Sequence, residues 1–246
     1  MKLTVLGYYG GYPYHDHGTS SYLITAGDGY RLLLDCGSGA LISLEKVMDP
    51  LKLDAVLLSH YHQDHIADIG VLQYYYQLKS GVKKTDPLKI YGHQEDLGNF
   101  KNLTFGSFTE GIAYDPKKKL ILGPLEVTFC RTIHPVAAFA IRLKEVETGK
   151  VLTYTADTRY FKELADFAMN SDVLIADTNF AGSQEGDLWH MTSLQSAKLA
   201  LDAKAKTLVL SHLPQEIPLD QILQEAEFAA PKLEVVLASK VSEIQF

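Results

Sequence analysis

The sequence predicts an α/β (α+β) layered sandwich in which helices cover the sheets, and three observations carry that prediction. The first part is a meander of apolar strands, the last third alternates helix and strand, and His or Asp recurs at the strand tips. Such mixed order fits stacked layers better than one purely parallel sheet. The 246 residues, 46% apolar and 22% charged, suffice for a sizeable core. No internal repeat or low-complexity linker divides the chain, so residues 1–246 are read as one domain.

Taken in order, residues 2–7, 21–27 and 30–37 read as strands, with Gly27-Asp28-Gly29 as a hairpin turn. A short helix follows over 39–47. The run LDAVLLSH, 53–60, has the length and unbroken apolarity of a buried strand. Residues 66–79 pattern as a helix, 87–92 as a strand and 93–100 as a helix. Strands 118–122 and 125–133 flank the turn pair Gly123-Pro124. Strands 137–145 and 150–157 form a hairpin around Thr148-Gly149. Then come helix 161–169, strand 172–177, helix 192–204, strand 206–211, helix 218–228 and strand 232–237. His60, Asp157, Asp177 and His212 each stand at or just past an apolar strand, and His134 closes another. Strand ends are where α/β sheets expose their sites.

Composition excludes several classes. A net charge of −7 argues against the broad basic surface of a nucleic-acid binder, though not against a local patch. The two cysteines, Cys36 and Cys130, lie far apart and outside any CxxC spacing. A disulfide framework is therefore not indicated, and a reducing cytoplasm is the expected compartment. The opening MKLTVLGYYGGYP reads as a first strand, since no long apolar stretch follows its lysine. No run approaches the roughly 18 apolar residues that cross a bilayer, so no membrane partner is expected.

The chemistry concentrates in LLSHYHQDHIADIG, where His60, His62, Asp64 and His65 fall within six positions. Imidazole and carboxylate are the ligands of zinc and related divalent ions. Alternate residues of an extended tip point the same way, so His60 and His62 suit one ion. Asp64 and His65, past the bend, suit a second. A polar loop capping the next helix, with Asp64 as N-cap, would explain one histidine but not three with an aspartate.

H-x-H-x-D-H after a buried strand resembles the signature of the metallo-β-lactamase superfamily, and the resemblance extends over nearly the whole chain. It implies a four-layered αββα sandwich. It also implies two divalent metal ions, zinc first and manganese or iron on the same ligands. By that match the first ion takes His60, His62 and His134 from RTIHP. The second takes Asp64, His65 and His212 from LVLSHLP, and Asp157 from YTADTR bridges the two. Within the superfamily the chain is similar to the ribonuclease Z-like branch. Its opening LGYYGGYPYHDHGTSSYLI resembles that branch's glycine-rich first loop and Ser-Ser strand start. DVLIADTNF stands where the branch carries a His-Glu-Ala-Thr-type segment, with Asp177 in the acidic position. HMTSLQSAKLA, 190–200, resembles its His-Ser-Thr motif.

That last stretch has its own physical logic. Thr192 and Gln195 have the spacing of a capping pair, which puts His190 beside a helix N-terminus, where a phosphate is favoured. The expected reaction is metal-dependent hydrolysis of the phosphodiesterase type. A metal-bridging hydroxide attacks phosphorus in line, Asp64 orients it or takes its proton, and His190 stabilises or protonates the departing oxygen. Asp177, Thr192 and Arg159 are the further substrate-binding candidates.

Enzymes of this branch that mature tRNA carry a long arm between the third metal histidine and the bridging aspartate. Here His134 and Asp157 are only 23 positions apart, filled by one hairpin. A small phosphodiester such as a cyclic nucleotide is thus the leading substrate, ahead of tRNA 3′-processing and of acyl ester or lactone hydrolysis. A non-enzymatic metal-binding scaffold or sensor is the reading from a different class. The branch's common dimers make a homodimer the candidate assembly. His15-Asp16-His17 is a second H-x-H, but it lies in a Tyr/Gly/Pro-rich loop and is read as a surface or substrate-facing loop. His93 is read as a polar first-turn residue, Cys36 and Cys130 as small buried hydrophobes. Tyr74-Tyr75-Tyr76 is read as partly core, with one ring free to stack on a base.

Overall fold

Alternation along short strands shows how the layers form in the computed structural model, which describes residues 1–246. In β4 (Arg31–Leu34), Leu32 and Leu34 enter the large central core, while Leu33 enters a smaller one behind it. In β5 (Ala55–Leu57), Ala55 and Leu57 face the central core and Val56 the smaller one. A period of two thus gives each strand two buried faces, which requires a layer on either side.

The first sheet runs in the order β15-β1-β3-β4-β5-β6-β7, with the short β2 beside β1. Its members are β1 (Lys2–Tyr9), β2 (Gly18–Thr19), β3 (Ser21–Thr25), β4, β5, β6 (Leu88–Gly92), β7 (Thr109–Ala113) and β15 (Glu243–Gln245). The second sheet runs β14-β13-β12-β11-β10-β9-β8. It comprises β8 (Leu120–Leu122), β9 (Leu125–Arg131), β10 (Phe139–Glu145), β11 (Val151–Tyr154), β12 (Val173–Asp177), β13 (Thr207–Ser211) and β14 (Glu234–Leu237). In each sheet antiparallel strands pass into a parallel set, β4 to β7 in one and β11 to β14 in the other.

Helices α1 (Ala40–Val47) and α3 (Ile69–Leu78) cover the outer face of the first sheet through Leu44, Leu72 and Tyr76. Helices α5 (Lys162–Phe167), α6 (Ser193–Asp202) and α7 (Leu219–Ala229) contribute Leu164, Leu199 and Ile222 to the core of the second. Two shorter helices, α2 (Gln63–Ile66) and α4 (Leu97–Lys101), complete the set. The result is the four-layered αββα sandwich. No helix is long and apolar enough to cross a membrane.

The structure departs from the expected elements at identifiable places. The helix expected over 66–79 is broken before α3, because Asp68 N–H donates to the Cys36 carbonyl and its carboxylate accepts from Leu41 N–H. The helix expected over 93–100 shrinks to α4. Asp96 caps it, and the His93 carbonyl is already engaged by the Tyr61 hydroxyl at 2.6 Å. Strand β7 was not foreseen, since TEGIA is half polar; parallel pairing to β6 makes it a strand. Strand β15, three residues long, forms by antiparallel pairing with β1.

Candidate metal centre

The parallel strands of both sheets end at one place, and the chain turns there abruptly. Three residues just past strand ends are non-glycine residues in the left-handed region: Asp35 (φ 54°) after β4, Ala156 (φ 51°) after β11 and His212 (φ 53°) after β13. Such conformations cost of order 1–3 kcal/mol each and persist where the surroundings hold them. Here they swing Asp35, Asp157 and His212 off their strands toward a common point. Gly10 is required beside them, because a Cβ there would stand 2.5 Å from His212 Cε1.

The structure brings together all seven side chains proposed from the sequence as metal ligands. His60, His62, His134 and Asp157 form one group; Asp64, His65, Asp157 and His212 form the other; within each, the donor atoms lie within 4.8 Å of one another. Asp157 belongs to both, with Oδ2 3.5 Å from His60 Nε2 and Oδ1 3.1 Å from His65 Nε2 and 3.3 Å from His212 Nε2. His134 Nε2 stands 3.1 Å from His62 Nδ1.

The outer nitrogens of His60, His65 and His212 face other polar groups, whereas His134 Nδ1 is buried without a partner. Asp35, buried, accepts from His65 Nδ1 at 2.7 Å, from Ser59 N–H and Oγ at 2.7 Å, and from the Tyr154 hydroxyl at 3.0 Å. Asp177, also buried, accepts from Thr158 N–H at 2.9 Å and His190 Nδ1 at 2.8 Å, and its Oδ1 stands 3.3 Å from His212 Nδ1. Ser59 Oγ lies 3.0 Å from His60 Nδ1. Outer-nitrogen contacts of this kind fix ring orientation at metal sites.

The inward atoms fit a pair of cations. His60 Nε2, His65 Nε2 and Asp157 Oδ1 are buried without a hydrogen-bond partner, an arrangement that is costly unless something positive sits among them. Electrostatics say the same. Burial opposes the charged forms of His65 and His212, yet nearby carboxylates, Asp157 foremost, outweigh it and raise both pKa values well above the ordinary imidazole range. Burial likewise opposes ionised Asp64 and Asp157, but the surrounding imidazoles hold both well below the usual carboxylate range. His134 is pushed down to about 4 by burial, and burial with His60 also lowers His62, which keeps both rings in the neutral ligating form. Asp64 Oδ2 accepts from Gly11 N–H at 2.7 Å and lies 3.0 Å from His212 Nε2.

His190 stands at the rim, its ring centroid 5.3 Å from that of His134 and 4.8 Å from that of His212. A cavity of about 370 Å³ opens over the cluster, lined among others by His62, Asp64, His134, His190, Trp189 and Tyr12. The three substrate-binding candidates do not reach it as expected. Asp177 is fully buried and holds two imidazoles instead. Thr192 is buried as the N-cap of α6, in a reciprocal capping box with Gln195. Arg159 pairs with Asp187 at 2.5 Å and does not line this cavity.

Other expectations also change. His93 is buried and precedes α4, so it is not the polar first-turn residue expected, and with His62 it lines a neighbouring cavity of about 540 Å³. Tyr76 is core, and none of Tyr74, Tyr75 and Tyr76 lines the cavity over the cluster. Cys36 is buried, Cys130 only half-buried, and both are free thiols. The His15-Asp16-His17 loop is exposed and lines a separate cavity beside α1. Sequence reasoning missed Asp35, although LLLDCG shows the same sign as the others, an acid at the tip of an apolar strand. It also missed Trp189 and Tyr12, which no local pattern marks.

Comparison with known proteins agrees with this geometry. Residues 30–213 match the family model of the β-lactamase superfamily domain. The probable metallo-hydrolase YhfI of Bacillus subtilis is 44% identical over 229 residues, covering 92% of this chain and 93% of that protein. The crystal structure of that metallo-β-lactamase fold protein matches with a TM-score of 0.90 at 43% identity, over 96% of this chain and 95% of the other. Ribonuclease Z of Thermoplasma volcanium is 24% identical over 241 residues, covering 75% of this chain and 78% of that protein. With four layers, seven converging His and Asp side chains and relatives of this kind, ribonuclease Z among the more distant of them, the chain belongs to the metallo-β-lactamase superfamily.

Proposed function

We propose that this protein is a metal-dependent phosphodiesterase acting on a small phosphodiester such as a cyclic nucleotide, with two divalent cations. Zinc is the proposed metal, because five imidazoles and two carboxylates suit it. Bound at this centre, such a pair supplies Lewis acidity and a water acidified to react near neutral pH.

The observation that carries the reading is His190. It is an imidazole outside the two ligand groups expected from the sequence, although its ring also groups with Asp157, Asp177 and His212, and it adjoins the rings of His134 and His212. Its Nδ1 is anchored by Asp177, so Nε2 is the nitrogen free for substrate. Burial works against a protonated ring, but the Asp177 carboxylate outweighs it and raises the pKa. That direction favours the protonated ring, the form that pairs with a phosphoryl oxygen and donates to a leaving oxygen. Asp64, fixed by Gly11 N–H, is placed to orient the attacking water.

A small substrate is supported by two features. The cavity over the cluster, about 370 Å³, falls in the range of small-molecule sites. The interval between His134 and Asp157 holds only the β10–β11 hairpin, with no arm for a tRNA body. The free thiols Cys36 and Cys130 support a reducing cytoplasm as the compartment. The test is a rate comparison on purified protein with and without added zinc. Bis(p-nitrophenyl) phosphate and cyclic nucleotides are set against an acyl ester, a lactone and unprocessed tRNA. Metal-dependent turnover confined to the small phosphodiesters is expected; preference for the acyl substrates or for tRNA would overturn the reading.

A further inference from the structure

We propose that Trp189 is the stacking platform for the planar base of a nucleotide phosphodiester whose phosphate lies over the His/Asp cluster. The inference rests on the phosphodiesterase reading and deepens it from a reaction type to a mode of substrate selection.

Trp189 adjoins His190 in the chain and lines the same cavity as the cluster, yet it is 42% exposed and belongs to neither hydrophobic core. A large indole open at the mouth of a polar pocket presents a broad flat apolar surface on which a planar ligand group can stack. The ring is held in place. The Arg159 guanidinium lies over it, 4.8 Å from the centroid, and Asp187 fixes that guanidinium at 2.5 Å. Tyr12, 52% exposed, lines the cavity as well. With cations bound, the pocket would combine an anion-accepting floor with an aromatic rim, the two chemistries of a nucleotide.

The same surroundings predict weak discrimination between bases. Of the two carboxamides lining the cavity, Asn179 donates its amino group to the His212 carbonyl at 2.8 Å. Gln215 donates to the carbonyls of Gly10 at 2.5 Å and Tyr12 at 2.7 Å. With three of their four N–H donors engaged inside the protein, these carboxamides have little left to donate to a base edge, and stacking, which every base supports, carries most of the recognition.

Trp189 is the protein's single tryptophan, so its fluorescence reports this site alone. Zinc-loaded protein is titrated with AMP, GMP and CMP, and separately with ribose 5-phosphate, which has the phosphate but no base. Saturable quenching or shift of the emission by all three nucleotides, and none by ribose 5-phosphate, is expected. An equal response to ribose 5-phosphate, or no response to any nucleotide, would overturn the platform. Kinetics give a second reading. Trp189→Ala should collapse the KM advantage of a nucleoside cyclic phosphate over its base-free analogue by about tenfold or more, with kcat changed far less. Trp189→Phe should restore most of it. A ratio unmoved by Trp189→Ala, in protein that still hydrolyses cyclic nucleotides, overturns the platform and leaves the phosphodiesterase standing. Absence of any metal-dependent phosphodiester turnover overturns the reading beneath it.

Discussion

Asp35 gathers four hydrogen-bond donors on one buried carboxylate, and through His65 Nδ1 it sets how that ring meets the metal centre. Replacing it by Asn keeps the volume but removes the charge and one acceptor. Asp35→Asn should weaken metal binding by about 10- to 100-fold, measured by competition with a chromogenic chelator. His190 is predicted to behave in the opposite way. His190→Ala should retain the metal content of the native protein while lowering turnover by about 10²- to 10⁴-fold; unchanged turnover would remove it from the mechanism. The contrast also explains what the sequence made legible. His60, His62, Asp64 and His65 are neighbours in the chain, so their purpose showed without a structure. The tasks of Asp35 and Asp177 depend on contacts with His65, His190 and His212, which only folding brings to them.

Among the elements, α6 shows how local chemistry supports the site. Its capping box joins Thr192 and Gln195 directly after His190, so the helix start fixes the chain that carries the imidazole. Thr192→Ala should lower stability by about 1 kcal/mol, read as a shifted urea midpoint with an unchanged slope. The capping box was visible as spacing in the sequence. So were most strands of the second sheet, whose runs VLIAD and TLVLS are buried throughout. Elements made by their partners were not visible. Strand β7 depends on β6, and its Gly111 accommodates Leu103 and Thr104, since a Cβ there would meet their side chains at 3.0 and 3.2 Å. The break before α3 depends on Cys36 and Leu41, distant in the chain.

Across the whole molecule, the centre joins the two sheets. His60, His62, Asp64 and His65 follow β5 of the first sheet, whereas His134, Asp157 and His212 follow β9, β11 and β13 of the second. Cations held between them would act as a cross-link specific to the native state. A ligand at a thousand times its Kd stabilises by about 4 kcal/mol. For a chain of this size that corresponds to roughly 10 °C in Tm. Chelator treatment should therefore lower Tm by about that amount, and added zinc should restore it; a Tm indifferent to metal would show that the sheets need no such bridge.

The central claim is that seven side chains hold a pair of cations. Its most direct test is the metal content of protein stripped with chelator, reloaded with zinc and desalted, measured by plasma mass spectrometry. Close to two zinc ions per chain are predicted, falling sharply in Asp157→Ala, which removes the carboxylate common to both groups. One ion or fewer in the native chain, or two ions retained by Asp157→Ala, would contradict the account.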